Sequence, residues 1–186
     1  MVTSNHVHLL IYEKKAGVIS KSLQLVAGRV GQEYNIRKAR KGAFWEDRYH
    51  ATVIGTENYL IQCLVYIDLN MVRAGVVDHP QEWEFSGYNE IMNPKARYTI
   101  IDHEVLRGFF KVKTNQRLQE EYSMLLDREL DKGYLMHNPD WSEGVAVGDE
   151  EFIVEIQNKL GIKTVKRKVE GKEDHWMLHE PGISYN

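Results

Sequence analysis

Apolar positions along the chain recur with two different periods, and these mark out its elements. Over residues 5–12, Val7, Leu9, Leu10 and Ile11 form a short apolar run that predicts a strand. Ser20 suits a helix N-cap, and Ile19, Leu23, Val26, Val30 and Tyr34 recur at helical spacing. That helix is expected to reach about Asn35, although Gly28 and Gly31 weaken it. Residues 37–42 read as a basic loop, and residues 43–54 as a second strand or hairpin arm. A second helix is expected from about Thr56, with Glu57 in its first turn favouring the start. It carries Tyr59, Ile61, Cys63, Leu64, Ile67 and Val72 and stops before Gly75.

Beyond Val77 the texture changes. Residues 78–96 are loop-like, with Pro80, Pro94 and the aromatics Trp83, Phe85 and Tyr88. Helical patterns follow over about 102–110, 115–132 and 149–160. Residues 163–186 are basic and then irregular, which fits a short hairpin or a tail. There is no internal repeat and no low-complexity segment.

Length and composition narrow the class. A chain of 186 residues fits one domain, or one domain with an extension. Its 42% hydrophobic and 27% charged residues exclude disordered and fibrous classes. No apolar run approaches the ~20 residues that span a bilayer. Two histidines stand among the first ten residues, where a secretory signal would place basic and then apolar ones. The lone Cys63 excludes an intramolecular disulfide and a cysteine-based zinc site. Together these lead to the expectation of a soluble cytoplasmic protein with no membrane partner.

Net charge is −3, which by itself gives no argument for a nucleic-acid partner. Its distribution does. Residues 1–50 hold nine Lys or Arg against four Asp or Glu, a balance of +5. The rest holds fifteen against twenty-three, a balance of −8. A basic surface near the N-terminus and an acidic remainder are expected, with a solvated basic helix face as the plainer alternative.

Two features carry candidate chemistry. In His6-Val7-His8 the imidazoles are two apart, so on a strand both project to one face, as ligands of a divalent metal would. In Tyr66-Ile67-Asp68-Leu69-Asn70 the phenol and the amide are four apart, neighbours on a helix face. A nucleophile beside a metal ligand would have that spacing, and so would a core tyrosine beside a helix-end asparagine. Tyr59, two turns earlier on nearly the same face, is an equal candidate by geometry. Arg37, Lys38, Arg40, Lys41 and Arg48 interleave with Phe44, Trp45 and Tyr49, which suits phosphates and stacked unpaired bases. A solvated loop beside buried aromatics is the alternative there. Arg73 fits either a phosphate contact or a helix C-terminal charge.

Taken together, these residues resemble one family. Asn5-His6-Val7-His8-Leu9-Leu10 is similar to the HUH signature (histidine, hydrophobic, histidine) of the single-tyrosine transposases. The run from Tyr66 through Asn70-Met71-Val72-Arg73-Ala74-Gly75 to Val77 resembles the tyrosine-bearing helix of the REP-associated branch. Phe44-Trp45-Glu46-Asp47-Arg48-Tyr49 resembles the segment that precedes it, and the likeness covers roughly residues 3–90. The run from Ala146 to Phe152 looks like part of the C-terminal extension of bacterial relatives, and Met71 stands where close relatives usually have proline.

The resemblance implies a metal-dependent endonuclease and strand transferase acting on single-stranded or hairpin DNA. Tyr66 would be the nucleophile, forming a 5′-phosphotyrosine, with His6, His8 and Asn70 holding Mg²⁺ or Mn²⁺. Arg37, Lys38, Arg40, Lys41, Arg48 and Arg73 would contact DNA. The implied fold is α+β: a ferredoxin-like HUH domain over residues 1–78, then a mainly α-helical C-terminal extension over 79–186. In the family a strand and a helix precede the HUH strand. Here the histidines come at residue 6, so the HUH domain is expected to be truncated. Relatives act as monomers or as homodimers, and the sequence leaves both open. Two other function classes compete: a non-catalytic nucleic-acid-binding remnant, and a structural metal-binding or interaction domain.

Overall fold

The computed structural model describes every residue except 4, 47–48, 56, 134–139, 162–166, 173–174 and 180–186, and also leaves out the side chains of residues 57, 142 and 143. The expected cap Thr56 lies outside the described residues. The fold is α+β. Its elements run α1 (Val18–Arg37), β1 (Val53–Ile54), α2 (Glu57–Asp68), α3 (Asn70–Arg73), a 3₁₀ turn (Pro80–Glu82), α4 (Gly87–Met92), α5 (His103–Phe109), α6 (Asn115–Asp131), α7 (Asp140–Glu143), β2 (Gly144–Gly148), α8 (Glu150–Leu160), β3 (Lys168–Gly171) and β4 (Trp176–His179). They fall into two compact units, Met1–Leu9 with Thr52–Asn186, and Leu10–Ala51.

In the first unit the later helices start where the sequence supplies caps. Ser86, Asp102, Thr114 and Asp149 each accept from a backbone N–H three residues on, satisfying donors that a helix start leaves open. α2 buries Cys63, Leu64, Val65 and Ile67, and α4–α6 bring Tyr88, Ile91, Leu106, Leu118, Tyr122 and Leu126 into the core. Asp68 is buried among these apolar groups. Its Oδ2 accepts from the Tyr122 hydroxyl at 2.6 Å and its Oδ1 from the Gly87 N–H at 2.9 Å. A carboxylate can be buried only when so satisfied.

A four-stranded mixed sheet has the order β1-β2-β4-β3. β1 runs parallel to β2 with Val53 opposite Ala146, while β2–β4 and β3–β4 are antiparallel. α8 covers it, with Ile153 and Ile156 closing on Ala146 and Leu178. The helix-rich C-terminal part therefore also supplies β2, β3 and β4. β3 and β4 pair antiparallel, the hairpin strands that the irregular end allowed.

Elsewhere the local expectations shorten. The strand expected over 5–12 reduces to one bridge, Val2 opposite Val7, because among the described residues it pairs only with the short arm before it. The arm expected over 43–54 is strand only at Val53–Ile54, where β2 supplies a partner. The second helix breaks at Leu69 into α2 and α3. α3 ends as the glycine anticipated: Gly75 has φ 65, and the Gly75 and Val76 N–H groups bond to the carbonyls of Val72 and Met71. The loop over 78–96 also contains the 3₁₀ turn and α4, whose cap Ser86 is in the sequence but whose apolar repeat is too short to read.

The second unit is α1 with the loop that follows it. α1 starts after Gly17, not at Ser20, and the Ser20 hydroxyl instead meets the Tyr49 hydroxyl at 3.1 Å. At its other end the Ala39 N–H bonds to Ile36 O and the Arg40 N–H to Asn35 O. That is the helix stop usually built on glycine, but here Ala39 adopts φ 47. A side chain at such a φ costs ~1–2 kcal/mol. Ala39→Gly should therefore stabilise this unit by ~0.5–1 kcal/mol, read as a higher denaturant midpoint with an unchanged slope.

Candidate active site

Both histidines belong to a tight hairpin in the first unit. Met1 and His8 exchange backbone hydrogen bonds, His8 N–H to Met1 O at 3.0 Å and the Met1 amino group to His8 O at 3.2 Å. The Thr3 N–H bonds to His6 O at 2.9 Å. The arm from His6 to His8 is thus extended, and the two imidazoles share a face with ring centroids 6.2 Å apart and planes 19° from parallel. His6 Nδ1 sits 2.8 Å from Asn5 Oδ1. His8 Nε2 lies 3.3 Å from Asn70 Nδ2, so residues 62 positions apart converge.

That contact has a chemical consequence. Burial lowers the pKa of His8, and the neighbouring His6, the Met1 ammonium and Arg73 push the same way. An imidazole receiving an N–H from Asn70 and surrounded by positive charge is held neutral, the form in which histidine binds metal. His6, His8 and Asn70 bring no negative charge of their own, so any divalent cation between them would be held weakly. Among the described residues no group of three or more His, Cys, Asp or Glu is arranged to hold a metal.

Tyr66 and Asn70 are not on one continuous helix, since Leu69 interrupts it. Leu69 N–H still bonds to Val65 O, and Arg73 N–H to Leu69 O, each at 2.9 Å. The Tyr66 carbonyl takes a hydrogen bond from Arg73 Nη1 at 2.8 Å. The same guanidinium lies over the Tyr66 ring, 3.9 Å from its centroid. Burial lowers the Arg73 pKa, and the Tyr66 side chain acts against that through charge and a hydrogen bond. Arg73 Nη2 is buried with no hydrogen-bond partner among the described residues. Trp141, on α7, stands on another side of Tyr66 with ring centroids 6.4 Å apart. Tyr59, the other tyrosine candidate, has its ring centroid 5.8 Å from that of His175.

The other basic candidates lie in the second unit. Arg37, Lys38 and Lys41 are exposed around the end of α1, where positive charge also complements the helix dipole. Arg40 donates from Nη2 to Ala43 O at 2.8 Å and lies 6.0 Å from the Tyr34 ring centroid. Arg48 lies outside the described residues. Sequence reasoning did not single out Asp68, Trp141 or Asn5. Asp68 carried a signal, an acid between Ile67 and Leu69 on an apolar helix, whereas Trp141 has none, because its role depends on distant packing.

Residues 1–70 match the family model described as Transposase IS200 like. No curated protein and no solved structure matches the chain. The matched span contains His6, His8, Tyr66 and Asn70, and it supports a transposase-like function in DNA transposition with DNA as the partner. Among the described residues no helix is long and apolar enough to cross a membrane.

Two outcomes follow from the geometry. An NMR titration should place the His8 midpoint below 6.5, its ordinary value. A base with a depressed folded-state pKa adds stability that is full above 6.5 and is lost as pH falls through the folded value, so His8→Gln should flatten that part of the stability curve. Arg73→Ala should cost ~1–2 kcal/mol, because it removes both the partner of the Tyr66 carbonyl and the cation over the ring. Chemical denaturation measures that loss.

Proposed function

We propose that this chain is a metal-dependent single-strand endonuclease and strand transferase with Tyr66 as its nucleophile, in the manner of the REP-associated tyrosine transposases. The observation that carries the reading is the convergence of His8 on Asn70, one turn after Tyr66. Residues 1–78 would then belong to the HUH domain and 79–186 to its extension.

In this mechanism the Tyr66 oxygen attacks the scissile phosphorus and the bond to the 3′ oxygen breaks. The phenol proton goes to solvent, the leaving oxygen is protonated to a 3′-hydroxyl, and a 5′-phosphotyrosine remains. Attack by another 3′-hydroxyl reverses the step and joins strands without ATP, since the covalent link conserves the bond energy. A phenol of pKa ~10 is only about a thousandth ionised at neutral pH, a deficit of roughly 4 kcal/mol. Arg73, over the Tyr66 ring, is placed to favour negative charge developing on that oxygen. His6, His8 and Asn70 would hold Mg²⁺ or Mn²⁺, whose chemistry when bound is to neutralise charge on the scissile phosphate.

A second reading, a structural or non-catalytic nucleic-acid-binding role, rests on the same contact. The Asn70 amide nitrogen already occupies the lone pair of His8 Nε2, a pairing that needs no metal. The two readings part in one assay. Protein is mixed with Mn²⁺ and labelled single-stranded oligonucleotides from the DNA flanking its coding region, and the product is run on a denaturing gel. A covalent species is expected from the wild type and should be lost in both Tyr66→Phe and His6→Ala. If it is absent from the wild type, or persists in Tyr66→Phe, the tyrosine mechanism is rejected.

A further inference from the structure

The second unit contains a groove of about 290 Å³ between α1 and the 42–45 loop. Ala27, Gly28 and Gly31 form its floor, and Phe44 and Trp45 stand over it. The two floor glycines differ. A Cβ on Gly31 would come within 3.3 Å of Phe44 Cβ, so Gly31 closes the groove by contact, whereas a Cβ on Gly28 would meet nothing within 4 Å. The open volume therefore lies beside Gly28.

The aromatic wall is fixed in place. Phe44 and Trp45 meet edge to face, with centroids 4.8 Å apart and planes at 86°. Trp45 Nε1 donates to Ala27 O at 2.9 Å, which anchors the indole to the floor while the residue stays 39% exposed. Asn35 belongs to the same lining. Its Nδ2 donates to Gly42 O at 2.8 Å, and its Oδ1 is buried with no hydrogen-bond partner among the described residues. Residues 37–41 supply four cations and no acid at the end of the same helix.

We propose that this groove seats one unpaired base of a single-stranded DNA, with the flanking phosphates taken by the cations of residues 37–41. This deepens the single-strand reading above and rests on it for the class of partner. A flat ring meets the fixed indole over a floor of small residues, and the polyanionic backbone meets the adjoining positive charge. The groove thus separates two kinds of contact: the cations hold any phosphate chain, and the groove demands a base.

Binding, not cleavage, tests this. Anisotropy on the full chain compares a labelled single strand of about 12 nucleotides, within the ~4–16 typical of one small binding module, with an abasic strand of the same length. Wild type should bind the base-containing strand about tenfold more tightly, the scale of one stacking contact. Gly28→Leu fills the open volume at a helical position where leucine is favourable. It should erase that preference and leave abasic binding unchanged. Arg37→Glu with Lys41→Glu should weaken both strands alike and flatten the salt dependence.

A second measurement needs no groove-filling variant. Tryptophan emission of the wild type should be quenched by the base-containing strand and not by the abasic one, and Trp45→Phe should abolish that difference. The proposal is overturned if Gly28→Leu retains the preference, if the two strands bind wild type equally, or if Trp45→Phe is quenched as wild type is. An absent covalent adduct alongside intact base-dependent binding rejects the tyrosine mechanism alone. An adduct alongside equal binding of both strands rejects the groove alone, and failure of both strands to bind rejects both proposals.

Discussion

The first unit depends on how a single carboxylate is kept out of water. Asp68 is 1% exposed, and burial raises its pKa, against which the Tyr122 hydroxyl, the Met1 ammonium and the N–H groups of Tyr88 and Gly87 pull it down. Those groups come from α6, α4 and the N-terminal arm, so satisfying one residue fixes three elements around the end of α2. Tyr122, itself fully buried, has its pKa pushed well up, which keeps its proton available for the bond to Asp68. Remove the partners and the carboxylate becomes an unpaired buried charge, among the costliest groups a fold can hold. Asp68 lies between Tyr66 and Asn70. What holds it therefore also anchors the stretch of chain that carries the two candidate site residues.

The break at Leu69 has a chemical effect as well as a structural one. An uninterrupted helix would place Tyr66 and Asn70 on one face as plain neighbours. In the broken helix the Tyr66 carbonyl takes a hydrogen bond from Arg73, and that recruits a guanidinium onto the Tyr66 ring. Arg73 stands in the last turn of α3, where a helix C-terminal charge belongs, and it also contacts the candidate nucleophile through the Tyr66 carbonyl and ring. On the other side of Asn70, the neutral state of His8 comes from burial and from surrounding positive charge. A site of neutral donors beside a cation is suited to an anion that arrives with the substrate, as a phosphate does.

The second unit shows how one stretch of basic sequence serves two purposes. Residues 37–41 follow a helix C-terminus, where positive charge is favoured whatever the function. Arg40 is committed to the loop carbonyl of Ala43, while Arg37, Lys38 and Lys41 face solvent. Charge alone would not separate a helix stop from a nucleic-acid surface. The groove beside it, small residues under a fixed indole, has no role in ending a helix, and the proposed base site rests on it and not on charge alone.

Much of this was legible in the sequence, because much of it is local. The helix ranges near 102–110, 115–132 and 149–160, the glycine stop at Gly75 and the helical repeat over α1 each act within one or two turns of chain. The shared face of His6 and His8 followed from a two-residue spacing and held even though the strand around it shrank to a single bridge. The strands were less legible, since a strand exists only where a partner comes alongside, and β1 pairs with residues more than ninety positions away. The same distance hid Trp141 beside Tyr66 and the contact of His8 with Asn70. By itself, then, the sequence determined which residues could do chemistry and which local elements would carry them. Only the tertiary structure decided which of them meet, because a buried carboxylate and its distant hydrogen-bond donors must be satisfied together before the chain can close.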